Sequence, residues 1–239
     1  MAPRSRDRDR RPARAPSKRR PKPWILIVTE GKVTEISYLK ALRQHLRGSY
    51  TIPEIPSEHG DPLSLVQLAK EQKRYLEAEA KREGDPAVFE EVWCVFDRDT
   101  FDRARLAQAI SDARDSNINI AFSNPCFELW LLLHFREQPG ARHHHAIQDA
   151  VSEFIPGYEK FVPPEAISQL GYINIAVARA HRLDIEAIEE GEPYRNPTTG
   201  VYKLVCRLFY YALRSSGYGG SLLDDEAPPA CGSLHCGQQ

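Results

Sequence analysis

The sequence predicts an α/β fold, a parallel sheet flanked by helices and followed by a C-terminal helical region, on three observations. Apolar runs of strand length recur at Trp24–Val28, Val92–Phe96 and Ile118–Phe122. The first two are apolar throughout and the third is broken only by Asn119, as strands covered on both faces are. Helical periodicity alternates with them, the arrangement that a parallel sheet with helices on both faces requires.

Taken in order, Trp24–Val28 is broken by Thr29-Glu30-Gly31, and Val33 to Leu46 then follows helical spacing through Ile36, Leu39 and Leu42. Tyr50–Ile55 reads as a further strand. Gly60-Asp61-Pro62 opens a second helix with Leu63, Val66, Leu68, Ala69 and Tyr75 as its apolar positions, fading by Glu83-Gly84. Asp97-Arg98-Asp99 stops Val92–Phe96, and residues 102–116 make the next helix. After Phe122, Asn124-Pro125 starts another, with Asn as cap and Pro in the first turn. Beyond about residue 136 no strand is expected, only helices near 146–155, 164–188 and 198–215. The expected organisation is a disordered basic arm over 1–22, an α/β domain over 23–136, a helical region packed on it over 137–215, and a flexible tail over 216–239.

Composition narrows the function classes. Residues 1–22 carry eight Arg and two Lys against Asp7 and Asp9, about +8, so the remainder holds about −9 of the net −1. This Pro-rich arm cannot bury a core of its own. It suits either a counterion-releasing contact with nucleic acid or a solubilising role. The apolar stretch Phe127–Phe135 is too short to span a bilayer, and Trp24–Val28 is too short for a signal sequence. Five cysteines without framework spacing fit a reducing compartment. The expectation is a soluble cytoplasmic protein with no membrane partner.

Ligands of open parallel sheets bind beyond the carboxyl ends of the strands, and acidic residues stand at such ends here. Glu30 directly follows the first apolar run. Gly31 behind it permits a close backbone approach, and the helix start with Lys32 suits a phosphate. Asp97 and Asp99, two apart in extended chain, face the same way. Carboxylates crowded together repel unless a cation holds them. A small set of oxygen ligands suits Mg²⁺ or Mn²⁺, which polarises phosphoryl groups and activates water. Glu128 opens an otherwise apolar segment, so it is a buried carboxylate that needs a partner; as a helix first-turn acid it would equally complement the dipole. Ser123 and Asn124 would hold a phosphate or cap the helix.

Four segments then carry a resemblance. Ile25–Glu35, Val92–Phe101, Ser123–Phe135 and Asn196–Val205, in that order, resemble the motifs of the RloB-like family, over roughly residues 22–215. That family is similar to a divergent branch of the Toprim fold of topoisomerases, primases and small nucleases. The resemblance implies a Toprim-like sheet in which Glu30, Asp97 and Asp99 bind Mg²⁺ (or Mn²⁺) and Glu30 doubles as general acid or base. It also implies a setting in restriction and anti-phage defence, often beside an ATPase. The function expected is a metal-dependent nuclease acting on RNA or DNA, with Glu30, Asp97, Asp99 and Glu128 catalytic and Gly31, Lys32, Ser123 and Asn124 on phosphate. The alternative is a non-catalytic nucleotide or nucleic-acid sensor, or a partner of an ATPase.

Other features are set aside. Asp97-Arg-Asp-Thr100 resembles the nucleophile motif of haloacid-dehalogenase-like phosphatases, but that reading leaves Glu30 without a role. Its late acidic pair would be Asp224 and Asp225, in a Gly/Pro-rich tail. His143, His144 and His145 are read as surface, and Cys231, His235 and Cys236 lack zinc-knuckle spacing. Lys203 and Arg207, one helical turn apart, meet a phosphate backbone or solvate a helix. Tyr158 and Lys160 are residues that would reach the site from the helical region.

Overall fold

The computed structural model describes residues 23–47, 61–84, 89–98, 103–138, 140–163 and 173–215. Its elements are β1 (Trp24–Thr29), α1 (Thr34–His45), α2 (Pro62–Arg82), β2 (Phe89–Asp97), α3 (Arg103–Asp115), β3 (Asn119–Asn124), α4 (Glu128–Phe135), α5 (His144–Ser152), α6 (Ile173–Glu189), β4 (Thr198–Thr199) and α7 (Val201–Ser215). The four strands form one sheet in the order β1-β2-β3-β4. β1, β2 and β3 are parallel, and β4 runs antiparallel to β3. The α/β reading therefore holds, with the three apolar runs as its parallel strands. The expected strand at Tyr50–Ile55 lies outside the described residues, as do 164–172 of the expected 164–188 helix.

Strand alternation divides the core in two. Ile25 and Ile27 of β1, Trp93 and Val95 of β2 and Ala121 of β3 face one side with α1, α4, α5, α6 and α7. Leu26, Val28, Cys94, Phe96 and Phe122 face the other, under α2 and α3. Helices thus cover both faces, which is why the strands read as nearly continuous apolar runs. α4 is apolar all round because it is enclosed by other elements, and Leu129 to Leu133 are fully buried. Trp130 packs edge-on against Tyr38 of α1 at 6.4 Å between ring centroids.

Several expectations are corrected. α2 turns Leu65, Val66 and Ala69 inward, whereas Tyr75 is exposed and bonds Glu79 along its own helix. Its start is as expected: Asp61 caps through its carboxylate to Leu63 and Ser64, with Pro62 at the first position. Asn124 caps nothing. It ends β3, its side-chain amide donates to the Tyr194 carbonyl at 2.8 Å, and α4 begins only at Glu128 without a side-chain cap. Strands also continue past residue 136, because Thr198–Thr199 pairs with Ser123 and Asn124. Gly200 closes this attachment. Its N–H donates to Phe122 at 2.7 Å, and a Cβ there would sit 3.4 Å from the Phe122 nitrogen.

Lys203 and Arg207 of α7 and Arg179 of α6 have partners within the fold. Arg207 pairs with Glu91 of β2, which also accepts from Tyr211 at 3.0 Å and from the Trp93 indole at 2.7 Å. Lys203 meets Asp184 of α6 at 2.7 Å, and Arg179 donates to the Leu133 carbonyl. Among the described residues no helix is long and apolar enough to cross a membrane.

Candidate metal centre

The carboxyl edge of the parallel sheet gathers acids from three elements and one turn. Glu30 lies one residue beyond β1, and its own N–H extends the ladder by donating to the Val95 carbonyl at 2.9 Å. Its carboxylate Oε2 accepts from the Asp97 N–H at 3.3 Å, across the neighbouring strand end. Asp97 is the last residue of β2, and Arg98 continues the pairing with β3 through its N–H to Ser123 at 2.7 Å. The two expected acids are thus held side by side by backbone pairing. Asp99, the third, lies outside the described residues.

A fourth acid joins them that the sequence reading did not assign. Glu35, in the first turn of α1, is only 6% exposed. Its carboxylate folds back to take the backbone N–H groups of Glu35 and Gly31. The space it occupies exists because residue 31 has no side chain, since a Cβ there would fall inside the Glu35 carboxylate. Gly31 is therefore needed for a close approach, as expected, but the group approaching is Glu35. The available signal was its spacing: Glu35, Tyr38, Leu39 and Leu42 share the buried face of α1. Glu128, 4% exposed in the first turn of α4, completes the group.

Electrostatic repulsion couples these acids, although among the described residues the group of three candidate ligands lying within 4.8 Å of one another is His143–His145 and not these carboxylates. Burial, then the Glu35 charge, then Glu128 and Glu30, hold Asp97 well above the usual carboxylate range, opposed by a hydrogen bond from the Phe127 backbone. Burial, with smaller repulsions from Glu128 and Glu30, pushes Glu35 up to about 7. Asp97 as a residue is half-buried, yet its Oδ1 is enclosed and has no hydrogen-bond partner among the described residues. Among the described residues no Lys or Arg forms an ion pair with Glu35, Asp97 or Glu128. An enclosed, partnerless carboxylate oxygen surrounded by further carboxylates is what a bound cation would satisfy. The donor set is all oxygen, which fits Mg²⁺ or Mn²⁺ better than a thiolate- or imidazole-seeking ion. Cys126 does not alter that chemistry, because burial and the Glu128 and Asp97 charges push its thiol up and keep it protonated.

The remaining expected residues fall into two sets. Lys32 is exposed beside Gly31, free in position to face solvent-borne phosphate. Ser123 and Asn124 are committed to the β4 attachment. The Ser123 hydroxyl is fully buried against Thr199 Oγ1 at 2.9 Å, and Asn124 is tied to Tyr194. Neither is presented to a phosphate. Tyr158 does reach the site from the helical region, donating to Glu128 Oε1 at 3.0 Å, whereas Lys160 is exposed. His143, His144 and His145 bring their ring nitrogens within 4.8 Å of one another at the start of α5, with His143 and His145 exposed.

Fold and site together define an α/β protein with a buried acidic centre at the carboxyl edge of its parallel strands. Residues 25–208 match the family model described as RloB-like protein, and the chain belongs to that family. No curated protein and no solved structure matches it.

Proposed function

We propose that this chain is a divalent-metal-dependent nuclease of Toprim-like design. The observation that carries the reading is the enclosed, unpartnered Oδ1 of Asp97 among Glu30, Glu35 and Glu128. Those four side chains, with Asp99 following in the chain, would hold Mg²⁺ or Mn²⁺. When bound, the ion supplies Lewis-acid polarisation of a phosphoryl group and activation of water.

The chain's own residues then have separable tasks. Glu30 and Asp97 are fixed through backbone pairing, so their carboxylates are positioned before any ligand arrives. Glu35, whose carboxyl burial and acidic neighbours push up to about 7 in the metal-free chain, is held by the Gly31 N–H and would give up its proton as the ion binds. Lys32, at the exposed lip, meets the substrate phosphate. The basic arm over 1–22 would add sequence-independent attraction for a nucleic-acid backbone. A defence setting with an ATPase encoded alongside rests on the family resemblance alone.

The test is incubation of the full chain with labelled RNA, tRNA and DNA in Mg²⁺, Mn²⁺ or EDTA, beside Asp97→Ala. Metal-dependent cleavage lost in Asp97→Ala supports the reading. Nucleic-acid binding without cleavage in any metal would replace it with the sensor alternative.

A further inference from the structure

Glu128, like Glu35, stands on a helix rather than at a strand end, so contacts other than the sheet ladder must fix its carboxylate. Two donors converge on its Oε1: the Tyr158 hydroxyl at 3.0 Å and the Gln148 amide of α5 at 3.4 Å. A carboxylate oxygen offers two lone pairs, and here both are used. With Oε1 engaged by both donors, and the Cys126 thiol also hydrogen-bonded to Glu128, Oε2 is the oxygen we assign to a cation.

Tyr158 is itself held in place. Its hydroxyl lies 3.4 Å from Thr34 Oγ1 in the first turn of α1. With the phenol proton directed at Glu128, Thr34 is the donor in that second contact. The same chain segment is anchored four residues later, where the Val162 N–H donates to the buried Ser37 hydroxyl at 2.9 Å. Ser37 in turn donates to the Thr34 carbonyl at 3.0 Å. The segment after α5 thus lies against α1 next to Glu35, and its one phenol reaches across to α4.

We propose that Tyr158, assisted by Gln148, is a positioning residue that occupies Oε1 of Glu128 and presents Oε2 to the divalent cation, so that the acidic centre is completed by the helical half of the chain. The inference rests on the metal-site reading above. It makes the C-terminal region part of the centre rather than a separate scaffold.

The test is Mn²⁺ titration of the full chain, by calorimetry and by the electron paramagnetic resonance of bound Mn²⁺, alongside thermal melting. Tyr158→Phe keeps the ring and removes the donor. Tyr202→Phe is the matched control, because its hydroxyl donates to Asp184, a carboxylate outside the acidic centre, at 2.9 Å. The expected result is a rise in Mn²⁺ Kd of roughly 10–100-fold for Tyr158→Phe, the scale for losing a group that orients a metal ligand. Tyr202→Phe should bind as the wild type does, with melting temperatures of the two variants alike. Should Tyr158→Phe fail to fold, Gln148→Leu removes the second donor and should raise Kd several-fold. Unchanged Kd in the folded donor variant, or an equal loss in Tyr202→Phe, overturns the proposal. Wild-type protein that binds no Mn²⁺ sinks the metal-site reading instead, and that outcome is read before any variant is compared.

Discussion

Replacing Glu35 by Gln should stabilise the metal-free protein at alkaline pH and weaken its response to metal. In the folded chain the Glu35 carboxyl is raised from an ordinary 4.5 to about 7, first by burial and then by its acidic neighbours. A group with a raised folded-state value binds more protons folded than unfolded. Stability is therefore fully present below about 4.5 and is lost as pH rises through about 7. That displacement corresponds to roughly 3 kcal/mol at pH 8, a conversion warranted by the near-complete burial of the side chain. Gln keeps an oxygen for the Glu35 and Gly31 N–H groups and never ionises. Its advantage over the wild type should be near zero at pH 4.5 and about 3 kcal/mol at pH 8. At roughly 2–4 °C per kcal/mol for a chain of this size, that is about 6–12 °C in Tm. Melting followed by circular dichroism at both pH values, in EDTA and then in Mg²⁺, measures it. Mg²⁺ should raise the wild-type Tm more than that of the variant. A gap between the two proteins that does not change with pH would refute the electrostatic account.

Four further outcomes follow from particular contacts. Gly31→Ala should fold, because the group displaced is the mobile end of Glu35, but it should lose metal affinity by about tenfold or more in a Mn²⁺ titration. Glu128→Gln should leave Tm close to the wild-type value while lowering Mn²⁺ affinity and any cleavage by about 10²; a loss of only 0.3–1 kcal/mol in stability with activity intact would reassign it to the helix dipole. Arg207→Met should cost about 1.5–3 kcal/mol in urea unfolding, the scale of a hydrogen bond to a charged group, since Glu91 loses its cation but keeps the Tyr211 and Trp93 donors. Deleting residues 1–22 should flatten the salt dependence of nucleic-acid binding, and an unchanged slope would assign the arm to solubility.

What the sequence disclosed depended on how local the cause was. β1, β2 and β3 were legible because burial on both faces leaves a nearly continuous apolar run, broken in β3 only by Asn119, and Glu30 and Asp97 because each stands where such a run stops. Glu128 stood out as one charge in an apolar segment. Glu35 did not, because a Glu on a helix is ordinarily assigned to the solvent face. Its place in the centre depends on the missing side chain at Gly31, and its acidic neighbours Asp97 and Glu128 lie far away in sequence. β4 was invisible to periodicity, since two threonines show no period and their pairing with Ser123 and Asn124 spans some seventy residues. The same non-local attachment explains Asn124. Asn before Pro and an apolar helix has the form of a cap, but its amide is taken by Tyr194. Lys203 and Arg207 looked like a cationic helix face because their partners Asp184 and Glu91 lie on other elements.

The central claim is that Glu30, Glu35, Asp97 and Glu128 form one divalent-cation site. The most direct measurement is calorimetric titration of Mn²⁺ into the wild type and into Asp97→Asn at pH 7.5. Asp97→Asn keeps the side-chain shape and takes the charge from the enclosed oxygen that carries the reading. The account predicts saturable binding by the wild type that is lost in the variant, with Mg²⁺ competing. Binding of equal affinity in both proteins, or none in either, would contradict it.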